Sequence, residues 1–102
     1  MEKQEQFREM LLKAIWTSLD EMFGQTTAKA VAFYVDPKIV SSNAALFSES
    51  LRKTFREGSK ILEEKCAEKL YNGLGIQFQK KEDWNLVDYI ADAKRKFAET
   101  TA

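Results

Sequence analysis

Histidine is absent from this sequence, and the chain has only one cysteine, one proline and four glycines. Without histidine, the protein lacks the commonest general base and the commonest metal ligand. A single cysteine excludes an intramolecular disulfide and a cysteine-based zinc site. We therefore expect a protein that is not an enzyme and that has no metal and no cofactor.

The chain also lacks an excess of either charge and a long apolar run. Its 16 basic residues balance 16 acidic ones, and its seven Phe, three Tyr and two Trp argue against intrinsic disorder. No apolar run approaches the roughly 18 residues of a membrane span, and the first residues lack the hydrophobic region of a signal peptide. We expect one domain, residues 1–102, in the cytoplasm and without a membrane partner.

Helical periodicity is the main pattern that is present. Apolar residues recur at spacings of three and four, which is typical of amphipathic helices. Residues 76–79 alternate apolar and polar side chains, so a short extended segment is expected there. The sequence predicts an all-α, single-domain bundle of about five helices. They are expected up to Gly24, over residues 26–35, from residue 42 or 43 to about 57, over 59–72, and from Asn85 onward.

Local signals mark the ends of several helices. Gly24 is expected to cap the first helix, and Gly58 to break or sharply bend the chain between the third and fourth. Asn72-Gly73 should end the fourth helix. Asn85 and Asp88 resemble a capping box at the start of the last helix.

The first helix carries more apolar surface than one neighbouring layer would cover. At about 100° per residue, its apolar set spans about 240° of the helix circumference, wider than a one-sided surface helix needs. Either the helix is buried across the centre of the bundle, or one flank meets a partner protein or a second copy of the chain. That flank consists of Leu12, Trp16, Leu19 and Phe23.

Other side chains that could carry chemistry have structural explanations. Cys66 lies on the apolar face of its helix and is expected to pack as a small core residue. Glu63, Glu64 and Glu68 cannot form the Glu-x-x-His motif of di-metal bundles, so a solvated face paired with lysines is expected. An enzyme based on carboxylate or lysine chemistry would need ionisable groups that converge in a pocket.

The densest basic run offers an alternative function. A helix that presents such a run could contact phosphates, which would make the protein a nucleic-acid-binding accessory. The overall neutral charge weighs against this function, because DNA-binding domains usually show a strong basic bias. The run comprises Arg52, Lys53, Arg56 and Lys60.

The central and C-terminal parts of the chain also contain an ordered set of motifs. These are Phe47-Ser48-Glu49-x-Leu51-Arg52-Lys53-x-Phe55, Gly58-Ser59-Lys60-x-Leu62-Glu63, Leu70-Tyr71-x-x-Leu74-Gly75 and Asp88-Tyr89. Over roughly residues 24–98, the set resembles an archaeal family of small helical domains, the Nitrosopumilus-type output domains. Its members occur alone or joined to signalling proteins. The resemblance implies a helical output or interaction module, and it brings no catalytic residues.

Together these observations predict a non-enzymatic helical domain that binds protein. We expect self-association as a homodimer, or service as the output module of a signalling system, with contacts through the flank Leu12, Trp16, Leu19 and Phe23.

Overall fold

A computed structural model of the protein describes residues 2–100. Within this range all regular secondary structure is helical, which confirms the predicted all-α, single-domain fold. Residues 76–79, where an extended segment was expected, lie outside helices and form no strand with any described residue. The α-helices are α1 (Lys3–Tyr34), α2 (Ile39–Ser42), α3 (Ala44–Phe55), α4 (Ser59–Leu74) and α5 (Leu86–Glu99).

The first two predicted helices are two parts of α1, which breaks at Gly24. This residue has φ 80° and ψ 160°, a backbone conformation that side chains with a Cβ rarely adopt. The break was expected at this residue, and helix resumes directly after it. α1 ends before Asp36-Pro37, as the restriction on residues that precede proline requires. The short helix α2 follows this proline and was not predicted.

Arg56, rather than Gly58, turns the chain between α3 and α4. Arg56 has φ 53° and ψ −119°, whereas Gly58 has the ordinary helical values of −68° and −15°. A three-residue 3-10 turn, Arg56–Gly58, leads directly into α4. The expectation that Gly58 breaks the helix is therefore wrong, and the unusual backbone geometry lies two residues earlier.

The core forms where α1 lies along α4 and where α3 and α5 pack against that pair. The buried Ser18 hydroxyl is satisfied within its own helix, where it donates to the Ala14 carbonyl at 2.8 Å. The largest fully buried side chains come from four of the helices and the segment after α1. They are Tyr71, Tyr89, Phe47, Ile15, Leu19, Leu51, Leu62, Leu70, Leu86, Val35, Cys66 and Ser18.

The ends of α4 and α5 follow from their capping residues. At the start of α5, Asn85 accepts from the Asp88 amide at 3.2 Å and Asp88 accepts from the Asn85 amide at 3.0 Å, which confirms the capping box. α4 continues past Asn72-Gly73 and ends at Gly75, which is left-handed with φ 74°. The predicted end was two residues too early, because either glycine is compatible with a C-terminal cap.

Candidate interaction surface

Most of the flank predicted to meet a partner is used within this chain. Leu19 is only 2% exposed and belongs to the core. Leu12 and Phe23 are partly buried, and the Phe23 ring stacks on Phe55 with centroids 5.4 Å apart. Trp16 is 37% exposed. In this packing of α1, Trp16 is the residue of the flank that is most accessible to a partner.

The most exposed apolar side chains lie instead in the last turn of α1. Phe33 is 90% exposed and Tyr34 is 81% exposed. Their rings contact each other edge to face, with centroids 6.3 Å apart. We call Phe33 and Tyr34 the aromatic pair.

The aromatic pair faces solvent because the opposite side of α1 is already anchored. Ala28 is 0% exposed and Val35 2%, and these residues lie on the same face, seven positions apart. Relative to Ala28, Phe33 and Tyr34 are rotated by about 140° and 240° around the helix. The helix over residues 26–35 was predicted, but the exposed aromatics opposite Ala28 were not. The same periodicity could have identified them.

Other exposed apolar residues are distributed singly, which is usual on protein surfaces. Met22, Leu46 and Ile61 belong to three different helices. The aromatic pair is distinguished by near-complete exposure of two large adjoining rings.

Charges of both signs border the aromatic pair. Lys29 precedes Phe33 by one turn, and Asp36 and Lys38 follow Tyr34; all three are exposed. The Asp36 carboxylate accepts from the Lys38 amide at 3.0 Å, which orders the turn after α1. No ion pair within residues 2–100 involves these three side chains. The region thus offers apolar rings together with an acid and two bases.

The acidic cluster on α4 is not the uniformly solvated face that was expected. Glu63 is only 4% exposed, and its Oε1 accepts from the Ser48 hydroxyl at 2.5 Å and the Leu86 amide at 2.9 Å. Its face of α4 is covered by α3 and by the start of α5, where the positive end of the helix dipole favours a carboxylate. Glu63 therefore joins three helices.

The neighbouring charges on α4 pair with other parts of the chain. Glu64 lies 3.7 Å from Lys80, and Glu68 is exposed. Lys65 and Lys69 both pair with Glu21 of α1, at 3.3 and 2.6 Å. These two lysines lower the pKa of Glu21, mainly through the hydrogen bonds that they donate to its carboxylate. Lys65 and Lys69 therefore link α4 to α1 through Glu21.

Cys66 is buried in the core, as predicted. Burial raises the pKa of its thiol to about 12, so the thiol stays protonated at neutral pH. Because the thiolate is the reactive form, Cys66 is unsuited to nucleophilic chemistry.

A hydrogen-bonded group around Tyr71 and Asp92 connects α4 with α5. The Tyr71 hydroxyl lies 2.5 Å from Asp92 Oδ2, and Arg95 and Lys96 pair with the same carboxylate at 2.8 and 3.1 Å. Burial, together with the adjoining carboxylate, raises the pKa of Tyr71. Burial alone would raise the pKa of Asp92, but hydrogen bonds from Tyr71, Lys96 and Arg95 outweigh it and lower that pKa. Both oxygens of the Asp92 carboxylate are thus occupied by neighbouring donors.

The segment after α4 is held by the same aromatic neighbourhood. The Phe78 ring packs between Tyr71 and Tyr89, with centroids 5.3 and 5.5 Å away. The Tyr89 hydroxyl accepts from the Lys81 amide at 2.8 Å and donates to the Lys81 carbonyl at 3.0 Å. Aromatic side chains in this region serve to fix the segment in place.

The predicted basic run is exposed but partly engaged. Lys53 pairs with Glu49 at 3.3 Å, and Lys60 donates to the Glu82 carbonyl at 2.7 Å. Arg52 and Arg56 form no ion pair with another described residue. Two of the four cations therefore remain available to an external anion.

Comparisons with family models, curated proteins and solved structures found no match to this chain. The resemblance to the Nitrosopumilus-type output domains therefore stays a prediction. Within residues 2–100, no helix is both long enough and apolar enough to cross a membrane. The same residues contain no group of three or more carboxylate or thiol side chains that could hold a metal ion.

Proposed function

We propose that this protein is a non-enzymatic interaction module that self-associates through the aromatic pair. The observation that carries the proposal is the near-complete exposure of two adjoining rings, Phe33 at 90% and Tyr34 at 81%. Aromatic residues are enriched at the energetic centres of protein interfaces. Their placement on an anchored helix also limits the conformational entropy that would be lost on binding.

Burial of the aromatic pair would contribute favourable free energy to association. Complete burial of one large apolar side chain contributes roughly 1.5–3 kcal/mol. In a dimer with two-fold symmetry, each chain would bury both of its rings, so four rings in total would contribute. This gain would offset part of the translational and rotational entropy lost when two chains associate.

A second copy of the chain is the partner that the charges favour. The net charge is zero, so two copies approach without long-range repulsion. Lys29, Asp36 and Lys38 place both signs beside the aromatic pair. In a symmetric contact, the acid of one chain can therefore meet a base of the other, and the surface is complementary to itself.

Sedimentation equilibrium over a wide range of concentrations tests self-association. We expect the wild type to dimerise and the double variant Phe33→Ser/Tyr34→Ser to weaken the dimer at least ~100-fold, because four rings lose their buried environment. Ile61→Ser is the matched control, since Ile61 is also exposed, at 64%, but lies on α4. It should leave the dimer unchanged.

Two outcomes would overturn the proposal: a wild type that is monomeric at every concentration, or a double variant that dimerises as well as the Ile61→Ser control. Urea unfolding of each protein at low concentration shows whether the variants keep the fold. Both substituted positions are exposed, so little change in stability is expected.

Nucleic-acid binding is the alternative proposal, and the exposure of Arg52 and Arg56 supports it. Binding to duplex DNA would weaken steeply with added salt, because it releases counterions. The aromatic contacts of the proposed dimer would respond to salt much less than phosphate contacts do. Arg52→Gln/Arg56→Gln should abolish DNA binding without any effect on the dimer, whereas the aromatic-pair variant should do the reverse.

A further inference from the structure

A cleft of about 170 Å³ lies at the other end of α1, where this helix meets α2 and α5. Four apolar residues, each at most 9% exposed to solvent, form its floor. The floor residues are Phe7, Leu11, Val40 and Ile90.

Two cations stand at the rim of the cleft on opposite elements. Arg8 extends from α1 and Lys94 from α5, and both are exposed. Neither forms an ion pair with another described residue, and no acidic side chain lines the cleft. The lining therefore carries a charge of +2 over an apolar floor. Gln4 and Ser41 add an amide and a hydroxyl to the rim.

The walls of the cleft are fixed relative to each other. The Lys3 ammonium donates to the Phe97 carbonyl at 3.0 Å and to the Thr100 carbonyl, so the start of α1 is tied to the end of α5. The Phe7 and Phe97 rings lie 6.3 Å apart beside this contact. Because α1 and α5 are held together here, Arg8 and Lys94 can face a ligand without a large movement of either helix.

We propose that this cleft binds a small organic carboxylate. The carboxylate would lie between Arg8 and Lys94, since a guanidinium forms strong, charge-assisted hydrogen bonds with such a group. The apolar part of the ligand would cover the floor. At about 170 Å³ the cleft is smaller than the pockets that hold drug-sized ligands, so the ligand would have a single ring or a short aliphatic chain.

An NMR titration of the full chain with benzoate and with hexanoate tests the site. We expect saturable shifts of the amides of α1, α2 and α5 around the cleft, with a dissociation constant on the order of 1 mM for so small a ligand. Benzamide has a similar shape but no charge and should not saturate the site. Inorganic phosphate has the charge but no apolar part and should bind at least ~5-fold more weakly.

Substitutions of Arg8 and Lys94 test whether these two cations bind the carboxylate. Arg8→Gln and Lys94→Gln should each weaken benzoate binding about fivefold, and the double variant more than tenfold. Arg8→Lys keeps the charge and should recover part of the affinity. Arg52→Gln is the matched control, since Arg52 is exposed and unpaired but belongs to α3; it should bind as the wild type does.

The proposal fails if benzoate causes no saturable shifts, if benzamide binds equally well, or if the double rim variant binds as tightly as Arg52→Gln. Equal binding of phosphate and benzoate would also overturn it, because the apolar floor would then contribute nothing. Neither residue of the aromatic pair lines the cleft, so the two proposals are tested with different variants.

Discussion

The two parts of α1 differ in what covers their apolar side chains. Before Gly24, residues such as Ile15 and Leu19 are buried by other helices, and even Phe23 stacks on Phe55. After Gly24, Ala28 and Val35 are buried, but Phe33 and Tyr34 remain open to solvent. The segment before Gly24 has more apolar residues, yet its large apolar side chains are less exposed to solvent than Phe33 and Tyr34.

This contrast shows that apolar content alone does not locate an interaction surface. The wide apolar set before Gly24 is matched by several packing neighbours, including α4 and the end of α3. After Gly24, the face that carries Phe33 and Tyr34 is not covered by any described part of the chain. Exposure depends on how many elements surround a helix as well as on its own sequence.

The largest expected effect compares one residue from each part of α1. Leu19→Ala should lower the free energy of unfolding by about 2–5 kcal/mol, because it removes methyl groups from a packed core. Phe33→Ala should change it by no more than ~0.5 kcal/mol, because the ring is already in water.

Urea unfolding of both variants at a concentration where the chain is monomeric measures this difference. Equal losses would show that Phe33 is covered within one chain, and the contrast between the two parts of α1 would disappear.

A smaller effect on stability is expected from two charged residues of α4, one buried and one exposed. Glu63→Ala should cost about 3 kcal/mol, because the Ser48 hydroxyl and the Leu86 amide would each lose a buried acceptor. Glu68→Ala should be nearly neutral, since Glu68 is exposed.

Thermal or urea unfolding of the two variants provides the comparison, with Glu63→Gln as an intermediate that keeps one acceptor oxygen. If Glu63→Ala unfolds no more readily than Glu68→Ala, the carboxylate does not join the three helices.

The smallest expected effect concerns the two breaks in the helical chain, at Gly24 and at Arg56. Glycine suits the positive φ of 80° at the first, whereas an arginine holds φ 53° at the second. Arg56→Gly should relieve this strain and raise the free energy of unfolding by about 0.5–1 kcal/mol, after allowance for the greater entropy of unfolded glycine.

Arg52→Gly is the control, since it places glycine within α3 and should lower stability by about 1 kcal/mol. Opposite signs for the two variants in urea unfolding are the expected result. A loss of stability in Arg56→Gly would show that the arginine side chain contributes more than its backbone costs.

The fold class and several helix ends could be predicted because their causes are local. Spacings of three and four residues indicate helices wherever they occur, and the Asn85 and Asp88 pair satisfies the first amides of α5 from within one turn. Asp36-Pro37 likewise ends α1 through contacts between adjacent residues. Such features need no knowledge of the tertiary arrangement.

The features that were not predicted depend on contacts between distant residues. Nothing near Glu63 in the chain indicates that Leu86, 23 residues later, donates to its carboxylate. Leu19 and Phe33 are both apolar, and only the position of neighbouring helices separates a core residue from an exposed one. No glycine in the sequence marks the break at Arg56. The short connection between α3 and α4 accounts for its backbone angles.

The backbone angles of Gly24 also determine how long the molecule is. As a straight helix, the 32 residues of α1 would extend about 48 Å, beyond the 38 Å of the molecule's longest dimension. Such a rod would project past its neighbours and carry Ala28 and Val35 away from the interior. A Cβ at position 24 would meet no atom within 4 Å, so the positive φ, and not steric crowding, is what favours glycine at this break.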